Sequence, residues 1–250
     1  MVERKETQTP TRFLPLGGEV WLLLPAKDEG ENIGALVREA KALGYQVVVC
    51  DDGSLDHTAS AAQAAGATVV RHKRNLGLAA AIRTLLDHFL VKGGPGNWAV
   101  LMDADGTMSP EDGLRLVAKG EATGADLVIG SRYRGRAEGI PLHRQIFSYG
   151  ARFLFSLFFP MRGVTDYTIG FRAYRYEFLR QYVLRYPGYF SGEGFSASTE
   201  LLLRARSLKP KVVEEGIHLD YARKGGGSKM RIWRTVREYL LLMYRLRGEL

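Results

Sequence analysis

The chain has 250 residues, of which 46% are hydrophobic and 25% are charged. This composition supports a sizeable core in one α/β domain with additions, and it excludes a disordered or fibrous protein. The formal net charge of +8 at pH 7 indicates an anionic ligand or surface. The sequence lacks a helix-turn-helix, a zinc-ligand spacing and an aromatic RNA-binding signature, so phosphate ligands and lipid headgroups rank above nucleic acid.

The amino terminus and the cysteine content bear on location. Residues 1–12 are polar and charged, and they lack the apolar core and small-residue cleavage site of a secretory signal. The single cysteine, Cys50, cannot form an internal disulfide and lies in an apolar run typical of a strand. Together these features predict a cytoplasmic protein.

Strand-like apolar runs alternate with helical patterns up to about residue 130. In chain order, the predicted strands span residues 20–24, 46–50, 68–70, 98–102 and 127–129, and the predicted helices span residues 32–43, 56–65, 78–91 and 110–119. This alternation predicts an α/β fold with a mostly parallel, doubly wound sheet and helices on both faces.

Polar loops follow three of these strands, at residues 25–29, 51–54 and 103–105. Because ligands of such sheets bind beyond the carboxyl ends of the strands, we expect the loops to converge on one site. Asp103 and Asp105 present hard oxygen ligands with which a divalent cation could hold a diphosphate. Acidic residues after strands also form turns or cap helices, and this alternative stays open. Ser54 and Asp56 are interpreted mainly as caps of the next helix, and Asp52 as a ligand-binding residue.

The second half of the chain is richer in arginine and contains two apolar helical segments. Residues 147–159 form an apolar run far short of the roughly 20 residues that span a bilayer. This segment is either a core helix or an interfacial helix, since Arg144, Arg152 and Arg162 punctuate it as headgroup anchors would. Residues 228–246 form a basic amphipathic pattern that packs on the domain, docks on a partner or lies in a membrane interface.

Seven short motifs follow one another along most of the chain. They are PAKDEGENI (25–33), VCDDGSLDHT (49–58), RNLG (74–77), DADG (103–106), GSRY (130–133), DYTIGFRAYR (166–175) and GGGSK (225–229). The ordered set resembles the family 2 glycosyltransferases with the GT-A fold, and within them the dolichol-phosphate mannose synthase and polyprenyl-phosphate glycosyltransferase branch. The resemblance implies a Rossmann-like, mostly parallel twisted sheet and a nucleotide-sugar donor.

The resemblance also implies the residues of the donor site. The expected nucleoside and diphosphate contacts are Pro25, Ala26, Glu29, Asp52, Asp103 and Ser228. The expected cofactor is magnesium or manganese (Mg²⁺ or Mn²⁺), with Asp103 and Asp105 as ligands and Asp105 as the first choice for direct contact. Arg223 and Lys229 join Asp105 as catalytic residues, because cations neutralise the charge that develops on a leaving nucleoside diphosphate.

The acceptor that the resemblance implies is a polyprenyl or dolichyl phosphate. The residues expected at it by motif position are Arg132, Ser148, Arg152 and Arg172. A phosphate is already ionised near neutral pH, so catalysis needs positioning and electrostatics rather than a strong base. Glu200 is the candidate for orienting a sugar hydroxyl or acting as a base; alternatively, it is a first-turn acid favoured by the helix dipole.

One departure from the family pattern bears on the donor. Gly106 follows the acidic pair, where mannose synthases of this branch usually carry a longer side chain that helps to hold the metal. This favours a UDP-sugar over GDP-mannose, and the family outcome implies inversion at the anomeric carbon. Two alternatives remain: the same donor chemistry with a soluble acceptor, and an inactive nucleotide- or lipid-binding subunit, against which the intact Asp103 and Asp105 argue.

The predicted organisation has three parts. Residues 1–18 form a tail, residues 19–227 form the GT-A domain and residues 228–250 form a basic amphipathic helix. Within the domain, residues 19–132 are the nucleotide-sugar half and residues 133–227 the acceptor half. A lipid acceptor predicts peripheral contact with the inner face of the membrane or a membrane partner protein.

Overall fold

The computed structural model describes residues 18–138, 142–192, 194, 196–220 and 232–248. The strands are β1 (Val20–Ala26), β2 (Gln46–Asp51), β3 (Thr68–Arg71), β4 (Trp98–Leu101), β5 (Leu127–Glu138), β6 (Arg172–Arg175) and β7 (Val212–Asp220). The helices are α1 (Gly30–Ala42), α2 (Thr58–Ala64), α3 (Leu78–Lys92), α4 (Pro110–Thr123), α5 (Leu142–Phe158), α6 (Tyr176–Arg185), α7 (Ser196–Ala205) and α8 (Ile232–Leu246). A 3-10 turn, Arg206–Leu208, follows α7.

These strands form one sheet in the order β3-β2-β1-β4-β6-β5-β7. β6 runs antiparallel to its neighbours β4 and β5, and the other pairings of described strands are parallel. β1, β2 and β4 are almost wholly buried, as expected for parallel strands with helices packed on both faces of their sheet. The predicted α/β fold with a mostly parallel sheet is confirmed.

The predicted helix over residues 110–119 corresponds to α4, which places the preceding acidic loop. Ser109 Oγ accepts the Glu111 N–H at 3.1 Å, and Pro110 occupies the first turn, so α4 begins directly after the loop. α4 continues to Thr123 because Gly120 is a packing residue rather than a stop. A Cβ on Gly120 would lie 2.3 Å from the buried Trp98 ring, and α4 ends instead at Gly124, which has a φ of 62°.

The largest differences from prediction lie after residue 129. β5 continues to Glu138, through a segment rich in arginine and glycine, because it pairs with β7 along this length; its pairing with β6 covers only Leu127–Ile129. Its register against β7 shifts between Ser131 and Arg136. The strand is not evident from its local composition, because its stability comes from pairing with neighbouring strands. None of the described helices combines the length and apolarity that crossing a bilayer requires.

Candidate active site

Three loops open at the carboxyl edge of the parallel strands, as the sequence predicts. β1 lies between β2 and β4 in the sheet. The Asp52 N–H donates to the Ala26 carbonyl at 2.9 Å, and the Met102 N–H donates to the Leu23 carbonyl at 3.1 Å. The segments 25–29, 51–54 and 103–105 therefore meet at this sheet edge, where open α/β sheets bind their ligands.

The loop after β1 carries three predicted nucleoside contacts. Pro25 and Ala26 end β1, and Glu29 directly precedes α1. Between them, Asp28 has a φ of 51°. Hydrogen bonds from the Lys27 ammonium and the Leu55 N–H lower the pKa of Asp28 below its ordinary value of 3.8. Asp28 is therefore ionised, and its hydrogen bond with the Leu55 N–H connects the first loop to the second.

Ser54 and Asp56 have different roles. Asp56 Oδ1 accepts the Thr58 N–H at 3.0 Å and Oδ2 accepts the Gly30 N–H at 2.9 Å, so one carboxylate serves the starts of α2 and α1. The predicted capping role of Asp56 is confirmed. The predicted capping role of Ser54 is wrong: its Oγ accepts the Asp28 N–H at 2.9 Å, because the second loop folds back toward β1 rather than toward α2.

Asp52 is buried at the sheet edge and accepts three hydrogen bonds. Its Oδ1 accepts from His72 Nδ1 at 2.7 Å and from the Leu76 N–H at 2.8 Å, and its Oδ2 accepts the Gly77 N–H at 2.8 Å. Asp52 therefore fixes residues 72–77, the segment that leads from β3 to α3. The contacts show what orients the carboxylate, and the ligand-binding role of Asp52 stays a prediction.

Asp103 and Asp105 follow β4, and both side chains are partly exposed. Asp105 Oδ1 accepts from the Thr107 N–H at 3.2 Å and from Thr107 Oγ1 at 2.7 Å. Within the described ranges, no group of three or more His, Cys, Asp and Glu side chains is arranged to hold a metal. Asp103 and Asp105 are hard oxygen donors that fit Mg²⁺ or Mn²⁺ when phosphate and water supply the remaining ligands, and their role as metal ligands stays a prediction.

Arg223, Ser228 and Lys229, the other predicted phosphate contacts, lie outside the described residues. The strand that leads to them ends beside the acidic pair, since the Asp220 N–H donates to the Thr107 carbonyl at 3.1 Å. The contact of these three residues with a diphosphate stays a prediction.

A second polar group, which we call the arginine cluster, consists of Arg132, Tyr133, Ser148 and Arg152. The Tyr133 hydroxyl lies 2.7 Å from Ser148 Oγ. The Arg152 guanidinium carbon lies 4.6 Å from the centre of the Tyr133 ring, and that of Arg132 lies 5.8 Å from it. The structure thus brings together three of the four predicted acceptor residues, around a tyrosine that the prediction omitted.

Asp166 holds Arg132 in place. Arg132 Nε and Nη2 donate to the two carboxylate oxygens of Asp166 at 2.8 and 2.7 Å, a bidentate pair, and Nη2 also donates to Thr168 Oγ1. Burial opposes ionisation of Asp166, but the Arg132 charge and hydrogen bonds outweigh it and lower the pKa of Asp166. Glu214 supports the pair from β7, accepting the Asp166 N–H at 2.8 Å and Thr165 Oγ1 at 2.6 Å.

Arg172, the fourth predicted acceptor residue, is fully buried. Its Nη2 donates to the Tyr167 carbonyl at 2.8 Å, and its Nη1 donates to the Ser198 carbonyl. The Arg172 charge also helps to lower the pKa of Asp166. The prediction of direct acceptor contact is corrected to a supporting position behind the arginine cluster, because β6 directs this side chain into the core.

Glu200 is also fully buried, and its carboxylate is used within the fold. Oε1 accepts the Ser191 N–H at 2.9 Å, Oε2 accepts the Gly192 N–H at 2.7 Å, and Arg204 Nε lies 2.9 Å from Oε1. Because α7 begins at Ser196, Glu200 lies beyond the first turn and the helix-dipole interpretation is wrong. Its contacts favour holding the 191–192 turn over contact with a substrate.

Comparison with known protein families identifies the family of this chain. Residues 21–183 match the model of the family described as Glycosyl transferase family 2. The chain belongs to glycosyl transferase family 2. The resemblance stated from the motifs is therefore confirmed, and the protein is an enzyme of the glycosyltransferase class.

Two similar proteins are named as mannose-transferring enzymes. The polyprenol monophosphomannose synthase of Mycolicibacterium smegmatis is 34% identical over 221 residues, which are 84% of this chain and 80% of that protein. The dolichol-phosphate mannosyltransferase of Pyrococcus furiosus is 31% identical over 239 residues, which are 91% of this chain and 63% of that longer protein. This family 2 enzyme thus has polyprenyl-phosphate mannosyltransferase relatives.

Solved structures agree with the GT-A fold. Glucosyl-3-phosphoglycerate synthase from Mycobacterium tuberculosis, crystallised with Mn²⁺, UDP and glucosyl-3-phosphoglycerate, has a TM-score of 0.66 and 19% identity, covering 92% of this chain and 80% of that one. The same enzyme crystallised with Mg²⁺ and UDP has a TM-score of 0.65 and 17% identity, covering 92% of this chain and 79% of that one. At these identities the likeness concerns the fold.

In this family 2 enzyme, sequence reasoning missed residues that hold the predicted ones. Asp166 and Tyr133 lie inside quoted motifs, and His72 lies two positions before another. A structural role for Asp166 could have been predicted, because this acidic residue lies in a motif that also contains arginine. The pairing itself was not visible, because Arg132 and Asp166 are 34 residues apart and Asp52 and His72 are 20 apart.

α5 and α8 pack against each other, and both helices carry exposed apolar side chains. Phe155 meets Tyr239 edge to face with ring centres 5.4 Å apart, and Phe147 meets Trp233 at 5.8 Å. In α5, Phe155 is buried, as predicted for a core helix, other aromatic residues are exposed, and the interfacial alternative stays a prediction. What we call the apolar surface comprises the exposed residues Tyr149, Phe153, Leu157, Phe158, Trp233, Leu240, Leu241 and Tyr244. They are eight of the twelve exposed large hydrophobic residues in the described part of the chain.

Proposed function

We propose that this glycosyltransferase moves a sugar from a nucleoside diphosphate sugar to a polyprenyl phosphate, with inversion at the anomeric carbon. One observation carries the proposal: the arginine cluster adjoins the apolar surface. Arg152 stacks on Tyr133, and the next residue of α5, Phe153, is 65% exposed. A lipid monophosphate has the matching chemistry, a dianionic head on a long apolar chain.

The proposed donor is a UDP-sugar. Gly106 has a φ of 78°, a backbone conformation that L side chains rarely adopt, so a metal-holding side chain at this position is disfavoured. The names of the two mannose-transferring relatives make GDP-mannose the donor to compare with it. Both bases present a ring N–H that a carboxylate such as Asp52 accepts.

The proposed cofactor is Mg²⁺ or Mn²⁺, held by Asp103 and Asp105. When bound, the cation would neutralise negative charge on the diphosphate leaving group. The chain itself supplies the two hard oxygen donors on a loop that Ser109 and α4 hold in place. We propose that Arg223 and Lys229 add positive charge at the same diphosphate.

The proposed chemistry needs no general base. An ionised oxygen of the acceptor phosphate attacks the anomeric carbon, and the bond from that carbon to the diphosphate oxygen breaks, releasing the nucleoside diphosphate. The acceptor carries its negative charge at neutral pH, so no proton has to leave it in this step. Arg132, Ser148 and Arg152 would hold that phosphate, and the engagement of Glu200 within the fold fits a reaction without a base.

We propose that the apolar surface contacts the inner face of the membrane. Basic residues accompany it: Arg152 lies on α5, Arg237 and Arg245 lie on α8, and Arg247 directly follows α8. Aromatic side chains flanked by arginine are typical of an interfacial helix that binds anionic lipids.

A transfer assay read by mass spectrometry tests the proposal. UDP-glucose, UDP-N-acetylglucosamine and GDP-mannose are offered separately, with Mg²⁺, with Mn²⁺ or with a chelator, to polyprenyl phosphate in vesicles. We expect a glycosylated lipid that requires the metal and forms faster on vesicles containing anionic lipid than on neutral ones. A nucleoside diphosphate released equally well without polyprenyl phosphate, or no product from any donor, would refute the lipid acceptor.

A further inference from the structure

We propose that His72 is a positioning residue that sets Asp52 for recognition of a nucleobase with a ring N–H. The inference rests on the proposed function in one respect, namely that the ligand of this sheet edge is a nucleoside diphosphate. His72 does not touch the nucleoside in this proposal. It acts through the orientation of the Asp52 carboxylate.

The hydrogen bonds of Asp52 define what it can still accept. A carboxylate has about four acceptor positions. His72 and the Leu76 N–H take two on Oδ1, and the Gly77 N–H takes one on Oδ2. The remaining position, on Oδ2, suits a donor such as the N3–H of uracil or the N1–H of guanine. Cytosine and adenine present an acceptor nitrogen at the corresponding ring position and would meet the carboxylate with like polarity.

The partners of His72 settle which ring nitrogen carries the proton. Nε2 lies 2.9 Å from Thr84 Oγ1 and 3.5 Å from Cys50 Sγ. Burial, together with the charges of Asp52 and Asp51, raises the pKa of Cys50 to about 12, so this residue is a thiol at neutral pH. The Asp52 carboxylate only accepts hydrogen bonds, so Nδ1, 2.7 Å from its Oδ1, carries a proton directed at Asp52, and the Thr84 hydroxyl and the Cys50 thiol, which can both donate, lie at Nε2.

The segment beyond His72 shows why the carboxylate orientation matters. Gly53 has a φ of 66°, and a Cβ there would lie 2.4 Å from the carbonyl carbon of Arg74. Residues 73–77 therefore lie directly against the second loop, and Asp52 pins them through two backbone N–H groups. Without the Nδ1–H, the carboxylate keeps only the two hydrogen bonds from Leu76 and Gly77, so its χ2 angle is less restrained and the acceptor position offered to the base is less well defined.

Two substitutions distinguish the hydrogen bond of His72 Nδ1 from that of His72 Nε2. In His72→Asn the amide nitrogen is as many bonds from Cα as Nδ1, so it can still donate to Asp52. In His72→Gln the amide nitrogen corresponds to Nε2, so the bond to Asp52 is lost. Thr84→Val removes the hydroxyl behind His72 without touching the sheet edge, and His88→Gln, on α3 beside Trp21, is the control for changing a histidine elsewhere.

The measurement is calorimetric binding of UDP, GDP, CDP and ADP to the full chain, with Mg²⁺ present and thermal unfolding recorded for every variant. We expect wild type to prefer UDP or GDP over CDP and ADP by at least about tenfold. His72→Gln should weaken the preferred nucleotide about tenfold and reduce the preference, since a hydrogen bond to a charged group is lost. His72→Asn should stay within about threefold of wild type, Thr84→Val should lose about threefold, and His88→Gln should match wild type.

Several results would overturn the inference. One is a His72→Gln protein that binds with unchanged affinity and base preference; another is a His72→Asn protein as weak as His72→Gln. If His72→Gln does not fold, unchanged binding by a folded Thr84→Val protein refutes it. Wild-type protein that binds no nucleotide refutes this inference and the proposed donor together. Wild-type protein that binds nucleotide with the expected variant pattern, yet glycosylates no lipid, refutes the proposed acceptor and leaves the His72 inference supported.

Discussion

The sheet edge and the arginine cluster hold their key side chains by different means. At the sheet edge, Asp28, Asp52 and Asp56 accept backbone N–H groups from neighbouring loops. In the arginine cluster, Arg132 is held by the side chain of Asp166, and the backbone of Asp166 is held by the side chain of Glu214. Carboxylates that collect backbone donors organise loops, whereas a buried ion pair orients one functional group.

The two regions also differ in charge, in the way their proposed ligands require. The sheet edge presents the carboxylates of Asp103 and Asp105, which repel a diphosphate unless a cation lies between them. The arginine cluster presents guanidinium groups, a type of group that can bind phosphate without a cation between them. The comparison predicts that damage to one region should leave binding at the other intact, and the following variants test this from the largest effect to the smallest.

Asp105→Ala should have the largest effect on activity. It removes one of two hard ligands at the proposed metal site, and we expect transfer to fall at least about a hundredfold. Asp105 Oδ1 accepts hydrogen bonds from Thr107 within the same loop, and we expect the variant to stay folded. Steady-state transfer and thermal unfolding check this, with Glu111→Ala, an exposed residue at the start of α4, as the matched control. Wild-type turnover by Asp105→Ala would refute the metal role.

Asp166→Asn should have the largest effect on stability. It leaves Arg132 and Arg172 without the carboxylate that both face, and breaking a buried pair costs about 3–5 kcal/mol. We expect a higher KM for polyprenyl phosphate with an unchanged Kd for nucleoside diphosphate. Asp126→Asn is the control, because Asp126 accepts a backbone N–H from Lys211 at an exposed site. Equal losses of nucleotide and acceptor binding would break the proposed independence of the two regions.

The pH dependence of unfolding tests the contribution of Asp166 to stability. The pKa of Asp166 is lowered from its ordinary 3.8, so the stability that Asp166 contributes is present above that pH and is lost as the pH falls through the lower, folded-state value. The stability difference between wild type and Asp166→Asn should therefore be constant near neutrality and shrink below about pH 4. Urea unfolding at several pH values measures it. A difference that stays constant down to pH 2 would contradict the ion-pair account.

Glu200→Gln should have the smallest effect on activity. The amide nitrogen cannot accept the N–H of Ser191 or Gly192, so we expect a loss of stability of about 1–3 kcal/mol. Because Glu200 is not the proposed base, kcat should change less than about threefold and its pH profile should keep its shape. A hundredfold fall in kcat with loss of one limb of the profile would restore Glu200 as a base.

The first half of the fold was predictable because its information is local. Apolar runs of strand length alternate with helical patterns up to β5, and each polar loop follows the strand that delivers it to the sheet edge. Parallel topology then brings the loops together without further information. The acidic pair, Asp52 and the 25–29 loop were therefore found by position, and family membership was found from the order of the motifs.

The arginine cluster was only partly predictable, because its geometry depends on long-range contacts. Motif position identified Arg132, Ser148 and Arg152, but Tyr133 joins them only when α5 packs beside β5. Arg172 and Glu200 carried charges that looked available to a substrate. Burial and hydrogen bonds to the Tyr167 carbonyl and the Ser191 N–H use those charges inside the fold instead.

The sequence by itself determined the fold class, the family and the edge of the sheet at which the acidic residues meet, because strand periodicity and loop position are properties of consecutive residues. Only the tertiary structure decided which charged side chains remain available to a ligand and which are paired with other groups inside the fold. A buried ionised group requires a partner, and the partner arrives through packing from a distant part of the chain. Asp166 for Arg132 and His72 for Asp52 are two such partners, contributed by segments that the order of the sequence keeps apart.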